Sequence, residues 1–155
     1  MSTTEEEKTP ERHRNFAIEC NNRAWDLCVQ VRTAAEDEEL LNAAHAAAFH
    51  WGHAGNERNH MRATMLLAEA HALLGLGPTA LAYANRMKGY FLQQSDTPDW
   101  ELAFTHAIHA HAAAVAGAVE DHKASYAQAE AAIAAIAAEE DRQIVMATFE
   151  QVPPP

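Results

Sequence analysis

The sequence predicts an all-α protein, a stack of three helical hairpins followed by a short C-terminal helix. Alanine is abundant, and no segment alternates apolar and polar residues as a half-buried strand does. The six prolines lie between the predicted helices or near the chain ends. Residues 57–94 show the clearest unit: two helices joined by Gly75-Leu76-Gly77-Pro78, where glycine ends one helix and proline begins the next.

The first two helices are expected to form an irregular hairpin. Residues 1–10 are polar and acidic, so we expect a disordered leader and no signal sequence. A first helix should cover residues 11–34, with Phe16 and Val31 on its inner face. An acidic run at residues 36–39 suits the positive N-terminus of a second helix, which continues to Trp51 and ends at the following glycines.

The remaining helices follow from turn chemistry. The third helix should cover residues 57–74 and the fourth should begin at Thr79. Thr97-Pro98-Asp99 combines a capping hydroxyl, a proline and an acid, and predicts the start of a fifth helix that runs to about Ala116. A sixth should cover residues 120–138 and a seventh residues 139–149, before a frayed tail at residues 152–155. Residues 11–151 then form a single domain.

Two of the hairpins correspond to each other. Gly75 and Gly117 are 42 residues apart, and the residues around them match under that shift. With the irregular hairpin at residues 11–54, this makes three units. Helical hairpins of this kind bury a continuous core only when they are stacked, and about three are the usual minimum.

Several short motifs connect this pattern to a known architecture. They are Ala44-His45, His50-Trp51, Ala68, Leu74-Gly75, Ala80-Leu81, Ala84-Asn85-Arg86, residues 99–104 and Glu140-Asp141-Arg142. In this order and spacing, residues 37–149 resemble bacterial tetratricopeptide-repeat-like proteins of unassigned function. The resemblance implies a stack of helical hairpins and no particular chemistry.

Charge and hydropathy exclude some classes of partner. The net charge is −11, so the surface repels phosphate backbones and we expect no nucleic-acid partner. No apolar run reaches the roughly 18 residues that span a bilayer, so we expect no membrane segment. Cys20 and Cys28 lie eight residues apart on one helix, about 12 Å, which is too far for a disulfide. These features favour a cytoplasmic protein.

No catalytic motif is present. The glycine-rich turn at residue 75 follows a helix and not a strand, so it is not a phosphate-binding loop. None of the three serines lies in a nucleophile-elbow motif. The sequence therefore leaves open whether the protein is an enzyme.

The first functional hypothesis is a binding module. By analogy with tetratricopeptide-like stacks, the first, third and fifth helices should line a concave surface that binds a protein or a peptide. The expected contact residues are Arg62, Glu69, Phe104 and His111. A second copy of the chain is an alternative partner.

The alternative hypothesis rests on the ten histidines. His45, His60, His106 and His109 are predicted to lie at one height between the second, third and fifth helices, where they would bind one transition metal. Imidazole suits zinc, iron, copper and nickel alike. Glu57-x-x-His60 also matches half of a di-iron motif, of which only one copy exists. The same histidines would serve equally as packing residues, or as metal-free acid–base groups.

Overall fold

A computed structural model describes residues 5–155, with side chains from residue 8 onward, and the regular secondary structure in this part of the chain is entirely helical. The seven helices are α1 (Glu5–Cys28), α2 (Ala34–Ala54), α3 (Glu57–Leu73), α4 (Gly77–Gln93), α5 (Asp99–Ala116), α6 (Val119–Ala134) and α7 (Glu139–Phe149). The predicted all-α class is confirmed. None of these described helices is both long enough and apolar enough to cross a bilayer.

The helices form three consecutive hairpins and a closing helix. Helix α1 packs on α2, α3 on α4 and α5 on α6. Helix α3 also contacts both α1 and α5, so these three lie side by side, while α2 packs on α3 and α4 on α5. Helix α7 lies against α5 and α6. The predicted hairpin stack is therefore the arrangement that the chain adopts.

The α3–α4 and α5–α6 hairpins turn in the same way. Gly75 and Gly117 both have φ of 74°, in the left-handed region where residues with a Cβ are strained. One residue after each glycine, the backbone closes back on the helix: Leu76 N donates to His71 O, and Ala118 N donates to Ala113 O, both at a distance of 2.9 Å. This is the closure of a Schellman cap. The 42-residue correspondence seen in the sequence is thus a repeated structural motif.

The first helix differs from the prediction at both ends. It already includes residues 5–10, which were expected to be a disordered leader, while residues 1–4 lie outside the described part. It stops at Cys28, because Thr33 and Glu36 exchange hydrogen bonds as the capping box of α2 and hold the preceding residues in a loop. Val31 is consequently 99% exposed, and Phe16 is 52% exposed, so their assignment to the inner face was wrong.

Three other local predictions need correction. Thr97 is not the cap of α5: its Oγ1 donates to Phe91 O at the end of α4, and Pro98 takes the cap position. Helix α6 ends four residues early, at Ala134, and Arg142 donates to the carbonyl groups of Ile133 and Ile136. The C-terminal tail is not frayed at Val152, which is 4% exposed and packs into the core.

The hydrophobic core has two parts that meet at α3. One part fills the space between α1, α2 and α3, and the other lies between α3, α4, α5, α6 and α7. Trp25 packs against both. Every residue from 103 to 113 on α5 is buried, which makes α5 the centre of the larger part.

A close approach between α4 and α5 predicts the effect of one substitution. A Cβ added to Gly77 would lie 2.5 Å from Val115 O and 2.7 Å from Ala116 Cα, both backbone atoms that cannot rotate away. We expect Gly77→Ala to lower the free energy of unfolding by about 1–3 kcal/mol, as overpacking does. Urea unfolding followed by circular dichroism at 222 nm measures this.

Gly89→Ala is the matched control for this prediction. Gly89 lies inside the same helix and is exposed, and no neighbouring atom lies within 4 Å of the position that a Cβ would take there. Alanine at this position should stabilise the protein by about 0.5–1 kcal/mol through helix propensity. Equal stability of the two variants would contradict the close approach of α4 to α5.

Candidate functional site

An open cavity of about 420 Å³ lies on the side of the stack where α1, α3 and α5 run together. Its walls come from these three helices and from α7. The lining residues are Asn21, Trp25, Asp26, Val29, Arg62, Met65, Trp100, Glu101, Phe104, Ile144 and Thr148. We call this cavity the groove. Its volume falls in the range of about 300–1,000 Å³ that is usual for ligand pockets.

An ion pair joins α3 to α5 in the groove wall. Arg62 Nε donates to Glu101 Oε2 over 2.7 Å, and Arg62 Nη2 donates to Glu101 Oε1 over 2.9 Å. The Glu101 side chain is only 2% exposed, whereas that of Arg62 is 39% exposed. The guanidinium also lies over the Trp100 ring, 5.7 Å from its centroid. Arg62 therefore satisfies a buried carboxylate and holds Trp100 in place.

Aromatic rings form the apolar wall of the groove. Trp25 and Phe104 have ring centroids 5.8 Å apart, and Trp100 meets Phe104 edge-on with centroids 6.2 Å apart. Ile144 on α7 borders the groove and is 61% exposed. Asp26 lies in the lining, and Asp141 borders a smaller adjoining hollow of about 230 Å³. The surface is thus aromatic with acidic side chains beside it.

The four expected contact residues divide into two pairs. Arg62 and Phe104 line the groove, as expected. Glu69 and His111 are 0% and 5% exposed, so a partner cannot reach them. Their burial was not anticipated from the sequence, and neither was the packing of α7 on α5. After the end of α7 in the sequence, Gln151 Nε2 donates to Cys28 O on α1 at a distance of 3.0 Å. This hydrogen bond connects the C-terminal segment to the first hairpin.

Glu69 and His111 form a buried neutral pair. His111 Nδ1 lies 3.8 Å from Glu69 Oε2, and neither Glu69 oxygen nor this nitrogen makes a hydrogen bond. Burial raises the pKa of Glu69 to about 8, although the charge of Arg32 acts in the opposite direction. Burial also lowers the pKa of His111 to about 4. Both groups are therefore uncharged at pH 7, and they do not form an ion pair.

The four histidines predicted as metal ligands do not converge. His45 is exposed on α2, and its ring packs edge-on against His71 at 5.5 Å. His60 Nε2 donates to Trp51 O over 2.8 Å, at the end of α2. His106 and His109 are buried on α5, and His109 bonds to side chains of α4 and α6. The structure therefore does not bring the four histidines together around one position.

No ready metal site replaces it in the part of the chain that the structure describes. Among residues 5–155, no group of three or more His, Cys, Asp or Glu side chains already stands in position to hold a metal ion. Glu57, which the di-iron comparison paired with His60, is an exposed residue in the first turn of α3.

A serine–histidine–asparagine chain of hydrogen bonds surrounds His109. Burial, followed by the charge of Lys88, lowers the pKa of His109 to about 4, so the ring is neutral at pH 7. Its Nε2 donates to Asn85 Oδ1 over 2.8 Å, and its Nδ1 accepts from Ser125 Oγ over 2.6 Å. This order matches a nucleophile, a base and an orienting group. Ser125 is 0% exposed, however, and does not line the groove. Because Asn85, His109 and Ser125 lie on α4, α5 and α6, these hydrogen bonds hold the three helices together.

Comparisons of the chain with protein-family models, with curated proteins and with solved structures find no match. The groove and the histidines are therefore interpreted from their own chemistry.

The buried acid predicts a pH dependence of stability. The pKa of Glu69 rises on folding from its ordinary 4.5 to about 8, so the folded state holds this proton more tightly than the unfolded state. The contribution of Glu69 to stability is therefore complete below pH 4.5 and is lost as the pH rises towards 8. The side chain of the Glu69→Gln variant cannot ionise. The free energy of unfolding of this variant, relative to that of the wild type, should therefore rise by about 3–5 kcal/mol between pH 5 and 8.

Urea unfolding at several pH values measures this difference. Histidines with lowered pKa values titrate in both proteins, so their effect cancels in the comparison. Glu130→Gln on the exposed side of α6 is the control and should change stability equally at every pH. A constant difference between Glu69→Gln and the wild type from pH 5 to 8 would show that Glu69 is not a neutral buried acid.

Proposed function

We propose that the protein is a non-enzymatic binding module that takes up a protein or peptide segment in the groove. The observation that carries this proposal is the open cavity with three aromatic side chains, Trp25, Trp100 and Phe104, in its wall. Large apolar side chains that remain accessible on a folded protein are typical of interaction sites. By analogy, tetratricopeptide-like stacks use the corresponding concave side to bind extended segments.

Charge favours a basic partner. The chain has a net charge of −11, and Asp26 and Asp141 lie at or beside the groove. Arg62, the basic side chain in the lining, is already bonded to Glu101. A segment with a large apolar residue next to Lys or Arg would pack the apolar side chain on the aromatic wall. Its cation would then meet the carboxylates or the face of a tryptophan ring.

The ion pair makes the groove preorganised. Two hydrogen bonds to Glu101 hold the Arg62 guanidinium, which lies over the face of the Trp100 ring. The aromatic wall therefore keeps its shape without a ligand. A partner then loses less free energy in ordering the site. This rigidity supports recognition of one anchor residue and its neighbours.

The test introduces a charge at the edge of the groove. Ile144 is 61% exposed, so Ile144→Arg should fold normally while placing a cation where the basic segment would bind. Peptides are selected from a displayed random library on the wild-type protein and then titrated by fluorescence anisotropy. We expect the selected peptides to combine an aromatic or large aliphatic residue with Lys or Arg. Ile144→Arg should weaken their binding at least tenfold, about 1.4 kcal/mol.

Val119→Arg is the matched control. Val119 is 57% exposed at the start of α6 and does not line the groove, so the same charge there should leave peptide binding unchanged. The proposal fails if no peptide is enriched on the wild type, or if both variants bind equally well. A concentration-dependent dimer that only Ile144→Arg disrupts would instead identify the partner as a second copy of the chain.

A further inference from the structure

Three histidines come together on the first hairpin. His13 on α1 and His50 on α2 have their Nδ1 atoms 2.8 Å apart. The rings of His13 and His53 are stacked, with centroids 4.5 Å apart and planes 18° apart. His53 is exposed, and the other two are partly exposed. We call His13, His50 and His53 the histidine cluster.

The geometry of the hairpin explains the cluster. His50 and His53 are three residues apart on α2, which places them on one face of the helix. Helix α1 packs along α2 and brings His13 against that face. Phe49 packs edge-on against the rings of both α2 histidines, with centroids 5.3 and 4.9 Å away. His13 lies eight residues, about 12 Å, before Asn21, the first residue of the groove on α1.

We propose that the histidine cluster is a surface site for a divalent transition metal ion of the Cu²⁺, Ni²⁺ or Zn²⁺ class. Imidazole nitrogen is a preferred ligand for all three ions. The site is separate from the groove, and neither proposal depends on the other.

The distance between His13 and His50 carries the most weight. In the structure one Nδ1 donates a hydrogen to the other, so the two ring nitrogens face each other at close range. With metal–nitrogen bonds of about 2.0–2.1 Å, two ligands of one ion lie about 2.9 Å apart at a right angle and about 3.3 Å apart at a tetrahedral angle. Starting from 2.8 Å, the two nitrogens need to separate by roughly half an ångström at most, and both rings must turn so that their lone pairs point at the ion and not at each other.

His53 supplies a third ligand after a side-chain rotation. Its ring lies parallel to that of His13, so its nitrogens point along the His13 ring and not at the His13 Nδ1 atom. The side chain is exposed and can change rotamer without disturbing the core. The histidine cluster is therefore a two-ligand site that a bound ion completes.

The surroundings of His13 and the net charge of the protein both suit metal binding. Partial desolvation lowers the pKa of His13, and the neighbouring His53 and His50 lower it further. Metal binding requires the neutral imidazole, because the lone pair of a protonated nitrogen is occupied. The net charge of −11 also favours the approach of a cation.

The experiment titrates the untagged full chain with Ni²⁺, Cu²⁺ or Zn²⁺ by isothermal calorimetry. We expect one ion per chain, with affinity reduced at least tenfold in both His13→Ala and His50→Ala. His45→Ala is the matched control, because His45 is an exposed histidine on the same helix outside the cluster. It should bind as the wild type does. Unchanged affinity in His13→Ala and His50→Ala, or an equal loss in His45→Ala, would overturn the proposal.

A second measurement needs no variant. In the NMR spectrum of the wild-type protein, substoichiometric Cu²⁺ should broaden the ring signals of His13, His50 and His53 before those of His45 and His60. Uniform broadening of all exposed histidines would show only adventitious binding and would reject the site. Ile144→Arg, which tests the groove, should bind the metal ion normally, so the two proposals can fail independently.

Discussion

The burial of the central part of α5 is the constraint on which the rest of the structure depends. Every residue from 103 to 113 is buried, although this stretch contains one threonine and three histidines. Polar groups removed from water must form hydrogen bonds or remain uncharged. Thr105 donates to Glu101 O within α5, and His109 bonds to Asn85 on α4 and Ser125 on α6. The positions of α4 and α6 are therefore determined by hydrogen bonds as well as by packing around α5.

The side of α5 that faces α3 shows two solutions for a buried carboxylate. Both oxygens of Glu101 accept hydrogen bonds from Arg62, which reaches them from a partly exposed position. Glu69 has no such partner and is held in its neutral form beside a neutral His111. The difference follows the exposure of the partner, because the Arg62 side chain is 39% exposed and that of His111 is 7% exposed.

The hairpin turns were predictable from the sequence, and the surroundings of individual buried side chains were not. Gly75 and Gly117 were recognised as equivalent turns because a left-handed cap depends on the adjacent residues alone. The Thr33–Glu36 capping box was an equally local signal for the start of α2, but the predicted first helix ran across its first residue. The burial of Glu69 depends on how distant helices pack around α3, many residues away in the chain. No spacing rule within a helix contains that information.

The histidines show why residue counts alone misplace a metal site. A ring binds metal only through a nitrogen whose lone pair is accessible. His109 uses one nitrogen to donate and the other to accept, within the core, so neither is available. His13 and His50 share a single hydrogen between two Nδ1 atoms at the surface, and a metal ion can displace it. The predicted site combined His45, His60, His106 and His109 from three helices, whereas three partly or fully exposed histidine rings lie together on the first hairpin.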